Sequence, residues 1–588
     1  FHQRCYRSRA TDNYILPSRN GIEFVDFRSE NWTIHHWIRG GCLFGIVPAN
    51  GMIYTPPNTC ACYYEAKTFG FTTVAPALAD PDYPQAPSDS ERLKENLPIY
   101  NESVDATPTG EEDWPTYRHD GDRSGKSPTV VPADLLDSWQ TDLGGKLSTL
   151  TVANGRIYVA QVDKHIVHAL SEADGTPLWS FRADGRVDSP PTIYKGRVIF
   201  GSADGHVYCL RATDGALIWR FQGAPEDLSM PTWEQLESVW PIHGSVLVQN
   251  DGTEDAVYCV AGRNMFLDGG LRFLKLDAVT GTKLTERTFD DKIPGTDESL
   301  QSKMESLDMP VALADILSSD GKRLYMRSQN FDLNGHRSEI PVSGPTDQGG
   351  DQAHLVCPSG FLDSNWHHRS YWVFGNGYGT GHNGWFRAGR YAPAGRILVF
   401  DKNTVYGYGR QPEYYVWSTA LEYQLFAAQR DMKPESIAFT LAANNKQESA
   451  QEHGHEITFD RELMRQYPLK EISAMDFNWR KENPPLMARA MVLAGKTLFV
   501  AGPADVLDEE ELFAKPFDPK VIAKSEEQKA ALKGEHGAIL QAVSAKTGQK
   551  LSELQLDALP AFDGMAAAEG RLFISMTDGT IRCFGKKI

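Results

Sequence analysis

Two stretches of this chain are copies of one another, and that repeat limits the folds open to it more than any other feature. Residues 151–181 read TVANGRIYVAQVDKHIVHALSEADGTPLWSF and residues 192–221 read TIYKGRVIFGSADGHVYCLRATDGALIWRF. Asp174-Gly175 aligns with Asp214-Gly215 and Trp179 with Trp219, each 40 residues on; Gly155 aligns with Gly196 at 41. Each copy has an alternating apolar run after a Gly turn, a second run after an Asp turn, then Asp-Gly, then a short run ending in Trp. Period-2 runs between Gly and Asp turns are antiparallel strands, and Asp-Gly between two strands signals a type I′ hairpin. Three to four strands in about 40 residues is the spacing of a propeller blade. One blade cannot bury both of its faces, so blades must stack.

Weaker copies follow: GSVLVQN with LRFLKLDAVTGTKL (244–284), GRILVFDKNTVYGYGR (395–410), GKTLFVAG (495–502) with AILQAVSAKTGQKL (538–551), and GRLFISMTDGTIRCFG (570–585). The expected fold is all-β, a single propeller of seven or eight four-stranded antiparallel blades with helical insertions. Three regions are expected: a blade-like N-terminal segment with clustered cysteines (1–72), a Pro/acidic linker (73–113) and the propeller (114–588). The N-terminal segment is expected to supply the first blades of the ring and to close it against the C-terminal strands; the alternative is the tail of an upstream domain. Charged, Ala-rich stretches within about 420–485 and 503–536 predict exposed helices inserted between strands.

The runs ALSEADGTPLW and CLRATDGALIW resemble the tryptophan-docking blades of the pyrroloquinoline-quinone-like (PQQ-like) repeat family, which includes quinoprotein dehydrogenases and BamB. WPTYRHDGDRSGKS (114–127) resembles the segment that opens such propellers in secreted bacterial proteins. The N-terminal CYRSRATDNYILPSRNGIEFVDF and the central stretch from Gly360 to Asp401 resemble a branch of large bacterial propeller proteins. The family contains both enzymes and scaffolds, so the resemblance implies fold rather than function. For the dehydrogenases it implies PQQ with Ca²⁺ held by Glu, Asn and Asp, and a vicinal Cys-Cys pair. This sequence has no Cys-Cys pair and two clear Trp-docking copies, which disfavours PQQ; no other cofactor is expected.

Lys plus Arg is 59 and Asp plus Glu is 77, a net charge of −18. Such a chain is repelled by polyanions, which argues against nucleic acid. No run approaches the roughly 18 consecutive apolar residues of a membrane span. The chain starts at Phe1 in patterned sequence and reads as a processed or truncated product; a secreted or periplasmic location is expected.

Two constellations carry candidate chemistry. Residues 361–393 concentrate aromatic, His, Arg and Gly residues. Here His367, His368, Tyr371, His382 and Arg390 are the candidate catalytic set, and Trp366, Arg369, Trp372, Tyr378, Trp385 and Tyr391 the candidate ligand-binding set. Aromatic faces stack on sugar rings, Arg grips carboxylate or sulfate, and His with Tyr can move a proton as a sugar-acid lyase requires. The alternative is a loop that plugs the channel with its aromatics buried. The second constellation is Cys5, Cys42, Cys60 and Cys62, read as two disulfides in an exported protein, with Cys42–Cys60 across an apparent hairpin and Cys5–Cys62 one pairing and the connectivity left open; a metal site built on them is the lesser reading. Cys209, Cys259, Cys357 and Cys583 sit in strand-like runs as small hydrophobes. Arg118, Asp120 and Arg123 read as Asp–Arg pairs that pin the lead-in strand to its neighbour.

Three functions follow. The first is a noncatalytic exported propeller that binds a protein or polysaccharide partner. The others are a lyase-like carbohydrate-active enzyme using the loop at 366–391, and a PQQ-dependent alcohol or sugar dehydrogenase. The sequence leaves open whether the chain is an enzyme, and its oligomeric state.

Overall fold

The alternating runs fold as antiparallel meanders whose turns follow from their glycines. Asn154-Gly155 and Lys195-Gly196 have positive φ at both residues (51° and 74°; 45° and 73°), the geometry of a type I′ hairpin. The Asp-Gly turns differ from expectation. Only Gly175 and Gly215 are left-handed there, and the Ser171 N–H reaches Thr176 O at 2.8 Å across a wider loop. That loop shifts the register between Ala169 and Leu170, and the copy shifts it between Cys209 and Leu210. The extra residue is a β-bulge, which adds twist.

The computed structural model describes residues 6–585 apart from 19–20, 58–64, 66, 69, 77–86, 96–99, 101–103, 105, 233, 304–310, 339–347, 366–370, 378–388, 415–420 and 453–464, with backbone alone for 445–452. Among these, eight sheets of three or more strands follow one another in chain order through the region expected to be the propeller, with the two-stranded hairpin Ser229–Thr232 and Gln235–Ser238 between the second and third. The first is Leu147–Ala153, Arg156–Gln161, Ile166–Ser171 and Pro177–Arg182. The second starts at Thr192–Tyr194, the third at Leu247–Asn250 and the sixth at Ile397–Phe400. The seventh starts at Ala490–Ala494 and the eighth at Pro560–Ala568. The fourth (Ser318–Ser319 to Gln329–Phe331) and fifth (His354–Val356 to Ala394–Gly395) have three strands each. Apolar clusters join neighbouring sheets face to face, so the core is a series of layers. This is the all-β propeller arrangement.

The ring closes with a strand the sequence reading did not assign to closure. Leu136–Asp142 pairs antiparallel with Thr580–Gly585 and completes the eighth sheet. The N-terminal segment, expected to close the ring, instead forms two small sheets, within residues 9–35 and 47–74. Its apolar cluster rests on Phe266 and Leu267, and Trp37 stacks on Phe266 with centroids 6.1 Å apart. Antiparallel pairing with the nearest chain end is not the only way to cover an apolar face; docking on a loop of the third sheet serves as well.

Within 73–113, expected as a linker, residues 88–95 form a strap. The helical turn Asp89–Arg92 is followed by Leu93–Glu95, which adds as a fifth strand to Leu217–Gln222 of the second sheet. Arg92 is buried and donates to Gln222 O at 2.8 Å and to Glu286 at 2.6 Å, so it ties the second sheet to the third.

The expected insertions are helical. Pro434–Glu452 and Leu469–Ile472 lie between two strands of the sixth sheet, Tyr423–Gln429 and Phe477–Glu482, so the ends of 420–485 are strand. Within 503–536, Asp508 caps Glu509–Ala514 and Asp518 caps Pro519–Lys533, which stops at Gly534. These ends follow the usual cap chemistry of Asp before and Gly after a helix.

Candidate functional site

The middle of the ring is occupied by the chain itself. Trp114 exchanges backbone hydrogen bonds with Val152 of the first sheet (2.7 and 2.9 Å), and Ile193 N–H of the second donates to Pro115 O. Gly121 faces Leu247 of the third sheet, and its carbonyl accepts from Ser319 N–H of the fourth. The Arg118 guanidinium lies 4.7 Å from the ring centroid of Trp372 in the fifth sheet and donates to Leu398 O of the sixth. Leu493 N–H of the seventh donates to Gly125 O. Arg118 also pairs with Asp563 of the eighth at 2.6 Å. A short segment that touches all eight sheets must lie across the ring. Arg118, His119 and Arg123 adopt positive φ (58°, 80° and 60°) to do so. The expected Asp–Arg pinning of this segment is made by Arg118 with Asp563 and not through Asp120. Asp120 accepts from Ser124, and Arg123 donates to Leu317 O, Thr116 and Tyr117 O.

A second polar assembly sits beside the sixth sheet. Thr404–Arg410 runs antiparallel to Tyr423–Gln429 with Tyr408 opposite Leu425 and Arg410 opposite Tyr423. Alternation puts 408 and 410 on one face, and Tyr408 stacks on its diagonal neighbour Tyr423 at 5.1 Å and 12°. Gly407 and Gly409 point the other way, where a Cβ would meet Phe426 and Ala394 O at 2.5 Å. The 503–536 insertion then brings acid groups over this face. Glu509 N–H donates to Glu422 Oε1 at 2.8 Å, and Leu421 N–H donates to Glu509 Oε2 at 3.0 Å. Tyr414 donates to Glu510 at 2.5 Å.

Burial sets the electrostatics. Desolvation pushes Glu422 up to about 7, with Asp505, Asp508 and Glu509 adding repulsion. It pushes Asp505 up to about 7 as well, again with Glu509 and Asp508 behind it. Burial, then the charge of Arg390, draws Arg410 down to about 9, and burial lowers Arg396. The phenol of Tyr408 is held neutral by burial and feels the charges of Asp505, Arg396 and Glu422. Its hydroxyl is buried without a hydrogen-bond partner among the described residues. The assembly therefore offers fixed cations, carboxyls able to donate or accept near neutral pH, and one free hydroxyl.

Of the expected site residues, Trp366, His367, His368, Arg369, Tyr378, His382 and Trp385 lie outside the described residues. Tyr371 is half-buried against the core around the fifth and sixth sheets. Trp372 is buried, edge-on to Phe361 and Phe562. Tyr391 is buried in the same core. Arg390 is buried and donates to Asn444, Pro412 O and Tyr414 O, so it holds the Pro434–Glu452 helix to the sheet. Its charge also reaches Arg410, which puts this flank of the predicted loop beside the polar assembly. Cys5, Cys60 and Cys62 lie outside the described residues, and no disulfide joins two described cysteines; Cys42 is half-buried beside the Gly41–Gly45 turn. Arg396, Tyr408, Arg410, Glu422, Asp505 and Glu509 were not foreseen. VYGYGR reads as an ordinary strand, and Glu509 is 87 residues from its partner Glu422.

The Trp-docking pattern is fuller than its two sequence copies. Trp139 donates from Nε1 to Glu172 O, Trp179 to Ala212 O, Trp219 to Val279 O and Trp479 to Ala545 O, at 2.8–3.1 Å. Each indole lies over a turn glycine of the next sheet (Gly175, Gly215, Gly281, Gly548), where a Cβ would come within 2.5 Å of the ring. Residues 103–299 match the family model described as outer membrane protein assembly factor BamB. That stretch belongs to the PQQ-like, BamB-type β-propeller repeat family. Over 109 residues it is 31% identical to the outer membrane protein assembly factor BamB of Nitrosomonas eutropha, covering 18% of this chain and 26% of that one. The BamB of Yersinia pestis is 30% identical over 93 residues, covering 14% and 23%. The chain thus spans about a quarter of the curated relatives it matches. Among solved structures, a quinohemoprotein alcohol dehydrogenase from Comamonas testosteroni aligns over 85% of both chains with TM-score 0.45 and 14% identity. BamB from Moraxella catarrhalis covers 78% of this chain and 91% of its own with TM-score 0.29 and 11% identity.

The PQQ-like repeat raises the question of its namesake. The expected seat is a flat aromatic slot on the ring axis beside a carboxylate-held metal. Among the described residues Tyr117, Arg118 and Arg123 occupy the middle of the ring, and no cluster of three or more His, Cys, Asp or Glu is placed to hold a metal ion. The described residues do not fit a PQQ–metal pair on the axis, and no step is derived through it.

Proposed function

We propose that this chain is an exported, noncatalytic β-propeller that binds a protein partner in the cell envelope or outside the cell. The observation that carries the reading is the lead-in segment across the ring. With Arg118 locked to Asp563 there, the faces and rims are what is left for recognition. The likeness of residues 103–299 to outer membrane protein assembly factors supports a partner among envelope proteins. The net charge of −18 favours a basic or neutral surface. No helix among the described residues is long and apolar enough to cross a membrane, which agrees with a periplasmic or secreted location.

The test is site-specific photo-crosslinking in the native host from Leu178, an exposed position on the outermost strand of the first sheet. One discrete envelope protein should be captured, and a Leu178→Asp variant should lose it. In parallel, the purified chain with PQQ, Ca²⁺, alcohols or sugars and an artificial acceptor should show no turnover. Turnover there would replace the scaffold with an oxidoreductase.

The second reading, a carbohydrate-active enzyme, draws on the polar assembly beside Arg390. Cleavage of acidic polysaccharide, lost on substituting His367, His368 and His382 by Ala, would establish it.

A further inference from the structure

The first and second sheets are copies, yet one is covered at its outer edge and the other is open. On the second, Leu93–Glu95 pairs with Leu217–Gln222. Leu93, Tyr100 and Val104 pack against the cluster that holds Ile218, Trp219 and Phe221, and those three are 2%, 0% and 0% exposed. On the first, Pro177–Arg182 is the last strand of its sheet, with no strand beside it among the described residues. Leu178, the match of Ile218, is 48% exposed, and Trp179 and Phe181 are half-buried. The backbone is presented in the same way on both. Gln222 O accepts from Arg92 and so faces the strap; alternation turns the N–H and C=O of Arg220 outward too. Ser180 is the match of Arg220, so its backbone N–H and C=O face solvent. An open edge flanked by apolar side chains is a template for another strand.

Charge selects the occupant. In the strap, Arg92 follows the Leu93–Phe221 pair to lie opposite Gln222, and it donates to Glu286 at 2.6 Å, five residues past the turn glycine Gly281. On the first sheet the place of Gln222 is taken by Arg182, exposed and without an ion pair among the described residues. The place of Glu286 is taken by Arg220, five residues past Gly215, which pairs with Asp184. The strap of a second copy would therefore bring Arg92 against two arginines, whereas a carboxylate in that position meets the free guanidinium of Arg182. We propose that the outer edge of the first sheet takes an extended segment of another protein as a fifth, antiparallel strand, with an apolar side chain opposite Phe181 and an acidic one opposite Arg182. The source of the segment rests on the partner-protein reading, to which this adds how the partner is held. The acid answers one local cation, while the net charge of −18 acts on the partner's wider surface.

Two capped, fluorescein-labelled octapeptides test it, residues 88–95 (SDSERLKE) and their Arg92→Glu form, each titrated against the full chain by fluorescence polarisation. The Arg92→Glu peptide should bind at least about threefold more tightly, the step expected when an exposed ion pair replaces a like-charge contact. With it bound, hydrogen exchange should slow at 178–182 and stay unchanged at 217–223, where the chain's own strap sits. Arg182→Glu in the protein should reverse the preference between the two peptides. Ser180→Pro removes the outward N–H, which an edge strand tolerates; it should abolish binding and keep cooperative unfolding, while Ser180→Ala binds as the wild type does. Failure of the Arg92→Glu peptide to bind, an unreversed preference in Arg182→Glu, or binding retained by folded Ser180→Pro would each overturn the proposal. Crosslinking in cells separates it from the reading it rests on. Capture from Leu178 that persists in Ser180→Pro overturns the strand pairing and keeps the partner; peptide binding without any capture upholds the edge site and removes the partner.

Discussion

At the residue scale the molecule turns on pairs of one large and one absent side chain. Trp219 is fully buried over Gly281 and donates to Val279 O. Trp219→Ala removes the ring and its hydrogen bond together and should cost about 3–5 kcal/mol by chemical denaturation. The reverse substitution is also informative. Gly215 sits at φ 74°, and a Cβ there would lie 2.5 Å from the Trp179 ring. Gly215→Ala should destabilise by about 1–3 kcal/mol through strain and overpacking, whereas Gly51→Ala, at the same φ but with open space, should cost less. Equal losses at both glycines would show that backbone strain, not the indole, sets the requirement.

At the scale of elements, two short segments act as fasteners. The strap depends on Arg92, whose guanidinium reaches Glu286 and two carbonyls. The lead-in segment depends on Arg118 and Asp563. Removing one member of a buried ion pair strands the other, so Asp563→Ala should lower stability by about 3–5 kcal/mol, whereas Arg92→Ala leaves Glu286 paired with Lys283 and should cost less. Hydrogen exchange should show opening confined to residues 88–95 and 217–223 in Arg92→Ala and spread over several sheets in Asp563→Ala, since only the lead-in segment touches all eight. The insertion at 503–536 is fastened by groups that titrate. Glu422 and Asp505 are raised to about 7 in the fold and titrate near 4 when unfolded. Between those values the folded chain binds more protons, so their contribution is full below about pH 4 and is lost as pH rises through 7. The melting temperature should fall from pH 5 to pH 8. Glu422→Gln keeps an oxygen for the Glu509 N–H and should flatten that slope; an unaltered slope would remove Glu422 as its source.

At the scale of the whole molecule, closure is the decisive event. Leu136–Asp142 joins the start of the sheet circuit to its last strand in the eighth sheet, and the two N-terminal sheets stand outside that circuit. A chain beginning at residue 88 should therefore still unfold cooperatively, with a lowered melting temperature from the loss of the Trp37–Phe266 contact. One beginning at residue 146 lacks both the lead-in segment and the closing strand. It should lose cooperative unfolding in calorimetry and expose an unpaired sheet edge prone to association.

Sequence alone determined the repeat unit, the strand-rich class and the helical insertions. These rest on local rules: period-2 alternation, Gly and Asp turns, Asp caps and a terminal Gly, all readable over a few residues. It showed two of the four docked tryptophans among the described residues, because Trp179 reaches a carbonyl 33 residues on in a clean copy, whereas Trp479 reaches one 66 residues on across an insertion. Trp139 also spans 33 residues, but its own sheet is completed from the other end of the chain. The polar assembly was invisible for the same reason. Tyr408, Arg410 and Tyr423 lie on one strand pair with Glu422 beside it, but Asp505 and Glu509 arrive from an insertion, and the burial that helps turn ordinary carboxyls into groups titrating near 7 is complete only once that insertion is seated. Which strand closes the ring, what fills its middle and which charges end up together are long-range outcomes. They are decided by which surfaces can be covered at once, and only the tertiary structure records that choice.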